Sequence, residues 1–192
     1  MISMKLRVGY IIEGTRVLGP GLRYAIWTKG CLRRCYRCIS PELQPLDGGK
    51  MIDVEALSDD ICSIEGISGI TISGGEPLLQ AKALKELLSL IDCRRPELSV
   101  ILFTGYNLQD ILDSAECGLL DYIDLLIDGE YVDEQNISEI GLRGSANQQF
   151  HFLSDRLLPS KDGIINGPRK REMHMIGKYE MLTIGIPPRR QA

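Results

Sequence analysis

Four short apolar runs rich in β-branched residues recur along the chain: RYAIWT (23–28), GITIS (69–73), LSVILFTG (98–105) and DYIDLLID (121–128). They are continuous and do not alternate with polar residues, the pattern of strands buried on both faces. Between them the apolar period lengthens to that of a helix. DVEALSDDICSI opens on Asp53, an N-cap residue. PLLQAKALKELLSLID places Leu84, Leu87, Leu88 and Ile91 at helical spacing, with Pro77 at the first helical position, where its missing N–H costs nothing. NLQDILDSAECG is expected to start at Asn107 and to stop at Gly118 as a C′ glycine. Strand and helix in alternation predict parallel strands joined by right-handed crossovers. The expected fold is α/β, a partial (β/α) barrel of parallel strands, since a complete eight-fold barrel takes about 250 residues. Ligands in such folds bind at the carboxyl ends of the strands.

Beyond about residue 141 the pattern changes to GLRGSANQQFHFL, a polar loop PSKDGIINGPRKRE, and MHMIGKYEMLTIGIP. The last predicts a C-terminal β-hairpin extension, turning near Gly177-Lys178 and added to the sheet. We expect one domain over residues 1–192, with a core at about 19–152 and an extension at 153–192. There is no internal repeat.

Composition narrows the function classes. With 192 residues, 44% hydrophobic and 25% charged, the chain can bury a substantial core. Its apolar runs fall short of the roughly 18 residues a membrane span needs, and its N-terminus lacks a signal core, so no membrane partner and a cytoplasmic location are expected. A net charge of −4 gives no footprint for nucleic acid.

Six cysteines stand at positions 31, 35, 38, 62, 93 and 117. In a reducing compartment they read as thiols and not as a disulfide framework. Cys62, Cys93 and Cys117 are expected to be small buried hydrophobes. Cys31, Cys35 and Cys38 are different: they are spaced C-x-x-x-C-x-x-C directly after the first clear strand. A structural zinc site takes four protein ligands, so three cysteines leave it one short unless His151 or His174 completes it. A catalytic nucleophile needs one thiolate and a base. A [4Fe–4S] cluster has four irons, each wanting a thiolate, and three cysteines leave one iron open to an outside ligand. A non-catalytic iron–sulfur or zinc module remains the alternative on the residues alone.

GCLRRCYRCISPEL together with TISGGEPLLQ resembles the radical S-adenosylmethionine superfamily. GPGLRYAIWTKGC, FTGY, LLIDGEYVDE and GLRGSANQ narrow the likeness to the activating proteins of glycyl-radical enzymes such as anaerobic ribonucleoside-triphosphate reductase, a single-cluster 4Fe-4S family. The resemblance covers roughly residues 19–152. It implies that Cys31, Cys35 and Cys38 bind a [4Fe–4S] cluster whose open iron takes the methionine end of S-adenosylmethionine. It further implies reductive cleavage to a 5′-deoxyadenosyl radical, which takes hydrogen from a glycine of a partner enzyme. A flavodoxin- or ferredoxin-type protein would supply the electron, drawn by the basic loop at Arg33, Arg34 and Arg37. A radical enzyme acting on a small molecule or peptide is the runner-up.

The same resemblance assigns cofactor contacts. Gly74, Gly75 and Glu76 would hold the amino group of S-adenosylmethionine, the glycines letting a ligand approach the backbone. Many family members carry an aromatic just before the third cysteine, near the adenine; here Arg37 takes that place, with Tyr36 before it and Ile39 after the cysteine. Thr104, Asp128 and Arg143 fall at or after the ends of later strands and are expected to face the same mouth.

Overall fold

The computed structural model describes residues 3–136, 139–176 and 179–189. In chain order the elements are β1 (Lys5–Thr15), β2 (Arg23–Thr28), β3 (Lys50–Asp53), α1 (Val54–Ser63), β4 (Gly69–Gly74), α2 (Ala81–Arg94), β5 (Ser99–Phe103), α3 (Leu108–Leu112), β6 (Leu125–Asp128), β7 (Gln149–Phe152), α4 (Lys161–Asn166), β8 (Glu172–Met175) and β9 (Met181–Ile184). Seven strands form one sheet in the order β3-β1-β2-β4-β5-β6-β7. Its centre, β2-β4-β5-β6, is parallel, and both flanks are antiparallel. Among the described residues the sheet is open, with β3 and β7 as its edges.

Alternation along the central strands explains both faces. Tyr24, Ile26, Ile70, Ile72, Val100, Leu102 and Leu126 point to one side, where they form a single core with Leu84, Leu87, Leu88 and Ile91 of α2 and with Val54, Leu57 and Ile61 of α1. Each such side chain contributes about 1.5–3 kcal/mol on burial. Asp53 caps α1 as expected, its Oδ1 accepting from the Glu55 and Ala56 amides. Pro77 opens a 3₁₀ turn, Pro77–Gln80, that leads into α2.

The opposite face is covered differently. Ile101, Leu125 and Ile127 pack under Leu157 and Ile164, and Ile12, Leu18 and Ala25 pack under Ile184. Between these clusters the side chain of Arg23 is fully buried. Its Nε donates to Thr71 Oγ1 at 2.7 Å, Nη1 to Ser99 Oγ at 2.9 Å and Pro20 O at 3.4 Å, and Nη2 to Ile70 O at 2.6 Å and Ser99 O at 2.8 Å. All five guanidinium donors are thus used, by uncharged acceptors from β4, β5 and the loop before β2.

Several expectations are corrected. Gly118 does not end a helix: α3 stops at Leu112, and Gly118 lies inside the 3₁₀ segment Cys117–Tyr122. The hairpin β8–β9 is a separate two-stranded sheet and does not extend the main one; the turn expected at Gly177-Lys178 lies outside the described residues. The polar loop contains α4, fixed by the buried Ile164. Cys93 and Cys117 are exposed, because each lies on the solvent side of its helical segment. No helix among the described residues is long and apolar enough to cross a membrane.

Candidate active site

A cavity of about 350 Å³ opens at the carboxyl ends of the parallel strands, on the face away from α1 and α2. Trp27, Ser73 and Phe103 line it from β2, β4 and β5, and Cys31, Cys35 and Cys38 line it from the loop after β2. That loop is closed at its base, where the Gly30 and Cys31 amides donate to the Leu43 and Gln44 carbonyls at 2.8 and 2.9 Å. Leu43, 2% exposed, seats the 3₁₀ turn Pro41–Leu43 in the protein. Inside the loop the Cys38 amide donates to Cys35 O at 3.2 Å, and Arg37 takes φ +52°, the only positive value at a non-glycine among the described residues.

Gly74, Gly75 and Glu76 form a shelf against this loop. The Gly75 amide donates to Thr28 O at 2.9 Å and the Glu76 amide to Gly30 O at 2.8 Å. A Cβ on Gly75 would sit 2.3 Å from Gly30 O and 2.7 Å from Leu43 O, and one on Gly74, at φ +129°, would sit 2.3 Å from Thr28 N and O. The glycines are therefore required by the backbone of the cysteine loop and of β2. The Glu76 side chain, 2% exposed, points into the protein. Its carboxylate accepts from Thr104 Oγ1 at 2.7 Å, Gly105 N at 2.8 Å and Leu78 N at 3.0 Å, tying the end of β4 to the end of β5. Burial raises its pKa, an effect these donors and Arg33 partly offset.

Of the other expected contacts, Thr104 and Ile39 line the cavity with the cysteines. Tyr36, Arg37, Asp128 and Arg143 do not. Tyr36 is 67% exposed. Arg37 reaches Asp133 at 3.5 Å. Asp128 Oδ2 accepts from the Leu108 amide at 2.6 Å and lies 3.0 Å from His151 Nε2, so its carboxylate serves the start of α3. Arg143 Nη1 donates to Gln148 O at 2.8 Å, with its guanidinium 5.5 Å from the Phe150 ring.

The cysteine loop is also locked from its sides. Arg33 stacks over Tyr106 at 4.5 Å and reaches Glu130 at 3.5 Å. Burial raises the Cys31 thiol pKa, and burial together with Glu130 pushes that of Cys35 up to about 11. These thiols hold their protons in the metal-free chain, and metal binding displaces them. Among the described residues no three His, Cys, Asp or Glu side chains converge on a point that could hold one metal ion. Three thiols lining one cavity fit a cluster in which each cysteine takes its own iron.

Sequence reasoning missed Glu130, Gln148 and the C-terminal residues of the cavity. Gln148 Oε1 accepts from Gly144 N at 2.8 Å, and its Nε2 donates to Gly129 O at 2.7 Å. Glu130 stood inside a motif that carried the resemblance. Nothing in GIPP marked Gly185, Ile186 or Pro187 as part of a site.

The sequence profile of the 4Fe-4S single cluster domain family matches residues 17–151. The chain is 33% identical over 141 residues to the anaerobic ribonucleoside-triphosphate reductase-activating protein of Vibrio cholerae, covering 70% of this chain and 90% of the relative. It is 32% identical over 144 residues to the protein of the same name from Enterobacteria phage T4, covering 72% and 89%. A shorter match, 36% over 77 residues, covers 37% of this chain and 31% of the pyruvate formate-lyase-activating enzyme of Staphylococcus aureus. With its three cysteines gathered at one cavity, the chain belongs to the 4Fe-4S single cluster domain family and is a relative of the anaerobic ribonucleotide reductase activators.

Proposed function

We propose that this chain is a radical S-adenosylmethionine activase that places a glycyl radical on a partner enzyme of the anaerobic ribonucleotide reductase type. The observation that carries the reading is the gathering of Cys31, Cys35 and Cys38 with the Gly74–Glu76 shelf and Thr104 around one cavity at the strand ends. The three cysteines would hold a [4Fe–4S] cluster. When bound, that cluster would supply one electron to split S-adenosylmethionine into methionine and a 5′-deoxyadenosyl radical, which takes a hydrogen atom from a glycine of the partner.

The protein's share is orientation and shelter. Glu76 fixes the β4 and β5 ends through Thr104 and Gly105, so that the backbone of the shelf faces the thiols in one geometry. Ile39, Thr104 and the shelf offer S-adenosylmethionine its contacts, while Asp128, Arg143 and Arg37 hold the start of α3, the Gln148 carbonyl and Asp133. Leu32, Arg34 and Tyr36 are exposed on the outer side of the loop, where a flavodoxin- or ferredoxin-type donor would dock. The single-domain reading, the partial-barrel reading and a cytoplasmic location accompany this proposal.

The test is anaerobic reconstitution with iron and sulfide, followed by dithionite and S-adenosylmethionine. Equal amounts of methionine and 5′-deoxyadenosine are expected, and Cys35→Ala should yield neither. Full cleavage by that variant would remove the cluster assignment.

A further inference from the structure

The family profile ends at residue 151, and the cavity does not. Leu182, Thr183, Ile184, Gly185, Ile186 and Pro187 supply one of its walls. This segment is fastened along its length. Where the hairpin begins, the Glu172 carboxylate accepts from Thr15 Oγ1 at 2.6 Å and from the Arg16 amide at 3.2 Å. In the middle, Ile184 is 1% exposed and packs with Ile12, Leu18 and Ala25 beside Trp27. Ile186 packs against the cluster around Ile101 and Ile127, and it also lines a second cavity of about 370 Å³. It therefore stands between the two cavities.

The last fastening reaches the cysteine loop. Asp133, in the connection from β6 to β7, is 3% exposed. Its Oδ2 lies 3.2 Å from Arg189 Nε of the tail and 3.5 Å from Arg37 Nη1 of the cysteine loop, while Oδ1 accepts from the Tyr131 hydroxyl at 3.0 Å. Asn136 Nδ2 adds a bond to Pro187 O at 3.3 Å. A carboxylate this buried is costly unless its partners stay close. Arg37 lies between Cys35 and Cys38 and holds a left-handed backbone. One carboxylate thus holds the tail and the turn that carries two of the thiols.

We propose that residues 181–189 form a strap that walls the cysteine cavity, and that Asp133 is a positioning residue clasping this strap and the cysteine loop in one register. Loosening the strap then loosens the loop, and the reverse holds by reciprocity. The proposal goes beyond the catalytic reading and stands whatever the substrate is.

Hydrogen exchange on the full-length, cluster-loaded protein tests the clasp. Arg189→Gln removes the strap's partner and leaves Asp133 and Arg37 in place. Exchange is expected to rise at least about tenfold both in residues 181–187 and in residues 31–38. Arg37→Gln should raise exchange in the strap, and Asp133→Asn should raise it in both segments. A rise confined to the mutated side, or no rise, overturns the clasp; the two arginine variants decide the matter even where Asp133→Asn does not fold. The wall is tested on the metal-free full chain by thiol alkylation. Ile186→Gly is expected to raise the rate at Cys31 at least about fivefold. An unchanged rate overturns the strap's role as a wall.

Discussion

Gly75 shows how a residue shapes the site through the side chain it lacks. Its missing side chain is filled by the carbonyls of Gly30 and Leu43, backbone atoms that cannot rotate away. Gly75→Ala is expected to force the shelf and the cysteine loop apart, costing about 1–3 kcal/mol of stability and lowering iron and sulfide content after reconstitution. Unchanged melting and full cluster content would contradict this. Arg23 is the complementary case at the other end of the strands. Removing its donors leaves buried acceptors unsatisfied at about 1–3 kcal/mol each, so Arg23→Met should unfold at markedly lower denaturant. Arg23→Lys should not restore stability, because three donors on a point charge cannot replace a planar fork of five.

The elements that sequence made legible are those whose signal is local. The four parallel strands and α2 carry continuous or helical apolar runs, and Asp53 carries its own capping chemistry. β1 and β3 were not predicted, since Gly9 and Gly14 interrupt the first and the second is four residues long with Lys50 and Asp53 at its ends. β7 was hidden because Gln149 and His151 alternate with Phe150 and Phe152 on an edge strand, a pattern shared with loops. At the site, the cysteines and the Gly-Gly-Glu turn were readable from spacing and resemblance. Asp128 ends β6 and Arg143 lies in the loop before β7, and both are turned to neighbouring backbone, a rotation that spacing does not encode. The hairpin's fastening is a matter of tertiary contact alone, and acid should undo it. Burial would raise the Glu172 carboxyl, but Thr15, His174 and the Arg16 amide together hold it below the usual range. A depressed folded-state value gives stability that is present above the ordinary carboxylate pKa of about 4.3 and is lost as pH falls through the folded value. Trp27, the single tryptophan, packs with Leu182 against the cluster that holds Ile184 and reports the docking. In the metal-free chain its fluorescence should shift to the red on acidification before the helical signal is lost, and the step should shrink in Glu172→Gln. An identical step in that variant would contradict the fastening.

At the scale of the whole molecule, the sheet divides labour between its faces. The helices α1 and α2 cover one side and bury most of the core, while the other side leaves room at the strand ends for thiols, shelf and strap. The parallel centre brings Trp27, Ser73, Phe103 and Thr104 to one rim, because strands running the same way end on the same side. Family membership and the geometry of the rim support the proposed task, radical transfer to a partner's glycine. The most direct measurement is electron paramagnetic resonance of a candidate anaerobic ribonucleotide reductase incubated with the reconstituted chain, S-adenosylmethionine and a one-electron reductant. The account predicts a glycyl radical on the reductase that requires S-adenosylmethionine and is absent with Cys35→Ala. S-adenosylmethionine cleavage with no radical on the reductase would contradict the partner, and a radical formed equally by Cys35→Ala would contradict the mechanism.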